Sequence, residues 1–179
     1  MTCIVGIVQD GRIYMGGDNQ GSDGSNKTSL KNRKVFQNGP FLIGYTSSYR
    51  MGQLLQYSFY PPAIKENQDV LDYMTTDFVN SVRECLRSGG YATNDKGEER
   101  GGNFLVGYKG RLFEIQNDFS VMESSHAFNS VGCGYPYALG SLITSDDQTP
   151  KDRIINALKA AEVFSVGVGK EFDVLELKA

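Results

Sequence analysis

The chain has 179 residues, 40% of them apolar and 22% charged, an ordinary globular composition long enough to bury a substantial core as one domain over residues 1–179. A formal net charge of −3 argues against a nucleic-acid partner, which needs a basic surface. No apolar run is long enough to span a membrane, and no basic segment followed by a hydrophobic stretch marks a secretory leader, so no membrane association and a cytoplasmic location are expected.

The residue inventory narrows the chemistry. Cys3, Cys85 and Cys133 are widely spaced, odd in number and form no C-x-x-C pair, which fits reduced thiols better than a disulfide framework. The single histidine, His126, follows the polar run Glu123-Ser124-Ser125, so no metal site is expected and a Ser–His or Cys–His nucleophile would depend on it alone. Gly167-Val168-Gly169-Lys170 lacks the spacing of a phosphate loop, and no cofactor is implied.

In chain order, the first eighteen residues read as a hairpin. Cys3, Val5, Ile7, Ile13 and Met15 are its apolar face, and Asp10-Gly11 is a two-residue turn. Removal of Met1 would put the amine and hydroxyl of Thr2 at the start of the first strand. That is a weak nucleophile carrying its own base, because a free α-amine titrates near ~7.7–8.0. Such a site wants a lysine nearby and a carboxylate to hold that lysine. Asp18 closes the second predicted strand and Lys34 opens the third.

Residues 19–32 are polar and read as a loop, with the basic residues of 27–33 in solvent. A second hairpin is expected over 34–37 and 41–47, turned by Asn38-Gly39-Pro40. A helix over 49–59 stops at Pro61-Pro62. A longer one over 68–87 carries Val70, Met74, Phe78, Val82 and Leu86 at four-residue steps and ends at Ser88-Gly89-Gly90. Residues 91–102 read as a loop, 103–108 and 111–115 as a third hairpin about Lys109-Gly110, and 120–123 and 129–132 as further strands. Thr149 and Pro150 begin the last helix as N-cap and first helical residue. Residues 172–177 are the final strand. Patterning alone gives an α+β fold.

Thr2, the Gly16-Gly17-Asp18-Asn19-Gln20 stretch, Ser22 and Lys34-Val35 together resemble the N-terminal region of proteasome β-subunits, and more closely the bacterial peptidase HslV. The resemblance implies a four-layer αββα sandwich of the N-terminal-nucleophile hydrolases. It makes Thr2 the nucleophile, Lys34 its tuning cation and Asp18 the group that orients the lysine. Ser22 falls where the family contacts substrate through its backbone. Tyr45 falls in the side-chain specificity pocket, which it would narrow, unless it is a plain core tyrosine.

Three positions depart from the family. Ser47 stands where a glycine N–H receives the oxyanion, with less backbone freedom. In Gly132-Cys133-Gly134, similar to a G-S-G turn, Cys133 replaces a serine beside the threonine and hydrogen-bonds more weakly. It would otherwise be an ordinary thiol. The run from Glu162 through Ser165 to Gly167 resembles D-x-x-S-x-G, with Glu162 for aspartate. Glu162 and Ser165 would support the Thr2 amine and hydroxyl, or Glu162 would make a peripheral salt bridge. The resemblance further implies a polypeptide substrate, a stacked homo-oligomeric ring and an ATP-dependent AAA+ unfoldase as partner. An amidohydrolase of small amides and a catalytically silent ring-forming scaffold remain as alternatives. The leading expectation is an N-terminal-threonine peptidase; the departures at Ser47, Cys133 and Glu162, together with a methionine that blocks the α-amine if retained, are the motive for the silent-scaffold alternative.

Overall fold

The structure, a computed structural model, describes residues 2–22, 26–95 and 97–178. Met1, on whose removal the reading of Thr2 depends, lies outside the described residues. The first hairpin is β1 (Cys3–Gln9) and β2 (Arg12–Asp18). Its turn residues Asp10 and Gly11 are both left-handed, with φ 51° and 71°, as a two-residue turn that matches strand twist requires. The stretch expected to be a loop instead contains a short ribbon, β3 (Gln20–Ser22) paired with β4 (Lys27–Ser29). Then come β5 (Val35–Asn38), β6 (Phe41–Tyr45) and helix α1 (Tyr49–Tyr57).

The long helix expected over 68–87 is not uniform. It consists of α2 (Val70–Tyr73), a π turn (Met74–Phe78) and α3 (Val79–Ser88). The cause is legible in the spacing. Apolar residues every four positions drift by about 40° per step around a helix of 3.6 residues per turn. The wider π turn absorbs that drift, so that Tyr73, Met74, Phe78, Val82 and Leu86 are all fully buried. The hydroxyls of Thr75 and Thr76 donate to the carbonyls of Leu71 (2.9 Å) and Asp72 (2.7 Å), taking up acceptors in the altered ladder.

A second small ribbon, β7 (Thr93–Asp95) with β8 (Glu98–Arg100), lies in the expected loop over 91–102. It is followed by β9 (Phe104–Tyr108), β10 (Arg111–Ile115), β11 (Val121–Glu123), β12 (Phe128–Gly132), α4 (Tyr135–Ile143), α5 (Pro150–Phe164) and β13 (Phe172–Leu177). The α5 start is as read: Thr149 Oγ1 accepts from the Asp152 N–H and Pro150 takes the first helical position.

Two antiparallel sheets result, one in the order β12-β1-β2-β13 and the other β11-β10-β9-β6-β5. Their inner faces meet through Ile4, Ile13, Met15, Val35, Leu42, Leu105 and Leu112. α4 and α5 cover the outer face of the first sheet against Cys3, Val5 and Ile7. α1 to α3 cover the second against Phe41, Ile43 and Phe104. The molecule is an α+β, four-layer αββα sandwich. The single apolar face expected for the first hairpin is in fact two. Cys3, Val5 and Ile7 face the helices, Ile13 and Met15 face the other sheet, and both sides of this ribbon are buried.

The antiparallel register brings strand ends together. Cys3 pairs with Gly132, and Gly17 with Ile4, while Asp18 pairs with Phe172. Tyr45 N–H donates to Lys34 O at 3.0 Å. The start of β1 and of β5, and the ends of β2, β6 and β12, therefore share one end of the sandwich.

Two substitutions test this packing. The Phe78 ring lies 5.0 Å from that of Phe41 and edge-on to Phe59 at 5.4 Å, so Phe78→Ala is expected to cost about 3–5 kcal/mol in denaturant unfolding. Gly132 has φ 101°, and a Cβ there would lie 2.2 Å from the Thr2 carbonyl oxygen. Gly132→Ala is expected to lose about 1–3 kcal/mol by the same measurement.

Candidate active site

Lys34 enters the sandwich just before β5, where the chain buries Val35 between the sheets, and its side chain is 1% exposed. Its Nζ has three donors and three acceptors in reach: Thr2 Oγ1 at 2.8 Å, Asp18 Oδ2 at 3.0 Å and the Gln20 carbonyl at 2.6 Å. Asp18, fully buried, also accepts three backbone N–H groups, from Cys3 at 2.9 Å, Gln20 at 3.0 Å and Gly169 at 3.2 Å. Burial pushes the Lys34 ammonium below the ordinary lysine range, and the charge and hydrogen bond of Asp18 oppose that shift. The arrangement holds a cation of reduced proton affinity against a buried threonine hydroxyl.

The Thr2 nitrogen lies on the other side. Its N–H donates to Cys133 Sγ at 3.3 Å, Cys133 Sγ–H reaches Thr2 O at 3.4 Å, and Ser165 Oγ lies 3.3 Å from the same sulfur. Cys133 thus connects the Thr2 backbone to Ser165. Cys3, the adjacent thiol, is buried among apolar groups, and that burial pushes its pKa up to about 12.

Ser47 follows β6 in the left-handed region, φ 64°, so the expected loss of glycine's freedom is met by a serine that adopts the conformation anyway. The turn is tightened by Ser48 N–H donating to Thr46 O at 2.7 Å. Asn103 holds it from the side: Thr46 N–H and Oγ1 both donate to Asn103 O, at 3.1 and 2.7 Å, and Asn103 N–H donates to Ser47 Oγ at 3.1 Å. Among the described residues, the Ser47 N–H donates to no protein acceptor. It lines, with Thr2, both hollows that open at this end of the sandwich.

The smaller hollow, about 70 Å³, is bounded by Thr2, Ser22, Tyr45, Ser48 and Tyr49. Tyr45 is 4% exposed, packs against Phe36 and Gly52, and has its phenol pushed up to about 12 by burial. It is a buried core tyrosine that also walls the hollow. The larger space is a cleft of about 660 Å³ running from Thr2 past Ser47 and Asn129 to Tyr135.

Thr2, Asp18, Lys34, Ser47, Cys133 and Ser165 are therefore linked into one hydrogen-bonded or shared-wall group, with Ser22 and Tyr45 beside it. Glu162 is not. It is half-buried on α5, lines a separate hollow with Gln20 and Gly169, and bonds neither Thr2 nor Ser165. What sequence reasoning missed is mostly backbone: the Gln20 carbonyl, the Cys3 and Gly169 N–H groups, and the Asn103 clamp. Gln20 lay within the family-like stretch and Gly169 within a run set aside for lacking phosphate-loop spacing, but backbone groups leave no residue signature. His126 sits in an exposed bend away from the group. Among the described residues no cluster of histidine, cysteine or carboxylate side chains fit to hold a metal is found.

No protein-family model matches the sequence, and no curated protein does. Solved structures do match. Two structures of BPH from Thiobacillus denitrificans superpose with TM-scores of 0.81 and 0.80 at 21% and 20% identity, each over 99% of this chain and 98% of that one. The second of these is in complex with epoxomicin. HslV from Trypanosoma brucei matches at TM-score 0.68 and 17% identity over 99% of this chain and 100% of that one. Anbu from Hyphomicrobium sp. strain MC1 matches at 0.68 and 16%, over 97% and 80%. All three are proteasome-type N-terminal-nucleophile subunits, and along nearly its whole length this chain has their fold.

Proposed function

We propose that this chain is a proteasome-type hydrolase, an N-terminal-threonine peptidase whose nucleophile is Thr2 once Met1 is removed. The observation that carries the reading is the 2.8 Å hydrogen bond from the buried Lys34 ammonium to Thr2 Oγ1, with Asp18 behind it. A threonine hydroxyl that receives a hydrogen bond from a desolvated cation is easier to deprotonate, and the freed α-amine is the base that takes its proton. Thr2 Oγ1 then attacks the substrate carbonyl carbon and the Ser47 N–H receives the oxyanion. The amine proton passes to the leaving nitrogen, and water hydrolyses the acyl-enzyme. Cys133 and Ser165 orient the α-nitrogen. Ser22 and Tyr45 flank the acyl side chain, and the small hollow suits a small one. Glu162 has no step in this scheme.

The likeness to HslV is in keeping with a stacked homo-oligomer that receives polypeptide from an AAA+ unfoldase. The 70 Å³ hollow also favours a second reading, hydrolysis of a small amide by the same group. Cleavage of casein against cleavage of small amides separates the two.

The first test is the intact mass of natively expressed protein with and without epoxomicin, the compound held by the Thiobacillus BPH. Loss of Met1 and a covalent adduct absent from Thr2→Ala are expected; full retention of Met1 with no adduct overturns the proposal. Asp18→Asn leaves the Lys34 cation buried without its carboxylate and turns an amide N–H₂ toward backbone donors. It is expected to cost about 3–5 kcal/mol in denaturant unfolding and to abolish the adduct. A variant of unchanged stability would remove Asp18 from its role.

A further inference from the structure

The layer between the sheets holds a group that packing does not call for. On β10, Phe113 and Ile115 face the helices, whereas Leu112 and Glu114 face the other sheet. Glu114 is half-buried, and Asn129 on β12, across the layer, donates from Nδ2 to Glu114 Oε2 at 3.0 Å. Asn129 is itself fixed, since its Oδ1 accepts from the Ser130 N–H at 2.8 Å. The carboxylate is thus aimed by an immobilised amide. Among the described residues no lysine or arginine pairs with it, although Glu123 on the neighbouring strand is paired with Arg111. Glu114 lines the same 660 Å³ cleft that opens at Thr2. Its other polar side chains are neutral, among them Asn103 and Gln116, and among the described residues no lysine or arginine lines it.

A carboxylate drawn partly out of water with one neutral hydrogen bond lacks the counter-charge that would offset its desolvation. We propose that Glu114 is a specificity-determining residue for the reaction at Thr2, selecting substrates that lay an ammonium or guanidinium group along this cleft. Its source is a lysine or arginine side chain or a peptide's terminal ammonium. The inference rests on the peptidase reading above.

The test uses synthetic peptides identical but for one residue on either side of the cleaved bond: lysine, norleucine or glutamate, each with a free or acetylated N-terminus. Rates and cleavage positions are read by mass spectrometry. The wild-type protein is expected to favour lysine over norleucine in kcat/KM by about fivefold, less as salt is raised. Glu114→Gln is expected to abolish the preference and Glu114→Lys to turn it toward glutamate. A preference that follows acetylation instead of lysine assigns the subsite to the terminal ammonium. Equal cleavage of all peptides, or a preference that survives Glu114→Gln, overturns the inference alone. A wild-type preference indifferent to salt does so even if the variants fail to fold. If no peptide is cleaved and no epoxomicin adduct forms, the peptidase reading falls and this inference with it.

Discussion

A lysine ammonium stripped of water is the constraint around which this end of the molecule is built. Moving such a charge into the interior costs several kcal/mol even after relaxation. Here the cost is met by one carboxylate at 3.0 Å and one peptide carbonyl at 2.6 Å, and the third donor is left for Thr2. The carboxylate is in turn fixed by N–H groups from β1, from the start of β3 and from the segment before β13. Removing the carboxylate would leave these buried N–H groups and the ammonium without their acceptor. The pair thereby ties the positions of four chain segments to one another.

The sandwich supplies what that network needs. Apolar residues on both faces of the first hairpin fix it between two layers and hold its register. Strand register converts that rigidity into the placement of Thr2, Asp18 and Gly132. The Ser47 turn is secured separately, by side-chain and backbone bonds to Asn103 at the head of β9. A donor on that turn and a hydroxyl at the head of β1 thus belong to different sheets, and the space between those sheets is the cleft.

Much of this was legible in the sequence. The alternation and turn residues of the hairpins, the Thr149-Pro150 helix start, and the Thr2, Asp18 and Lys34 set all carry side-chain signatures. The four-residue apolar spacing over 70–86 also carried information, but a helix template of fixed pitch reads it as one α-helix, and only burial on a flat sheet shows why a π turn is needed. The ribbons β3–β4 and β7–β8 were invisible because their residues are polar and their pairing is satisfied by backbone. Glu162 misled for a related reason. Its place in a motif-like run says nothing of which way the end of α5 presents it, and it faces Gln20 and Gly169 instead of Thr2.

The span of chain needed to bury Lys34 bears on the order of events during synthesis. The Gly169 N–H that helps hold Asp18 lies 151 residues beyond it, so the full set of bonds around the pair is complete only after nearly all of the chain has left the ribosome. Until then the lysine is hydrated and has its ordinary basicity. The threonine, though among the first residues made, has no desolvated cation beside it. On the proposed reaction, the hydroxyl would gain that neighbour only with completion of the fold, and a nascent chain would lack it.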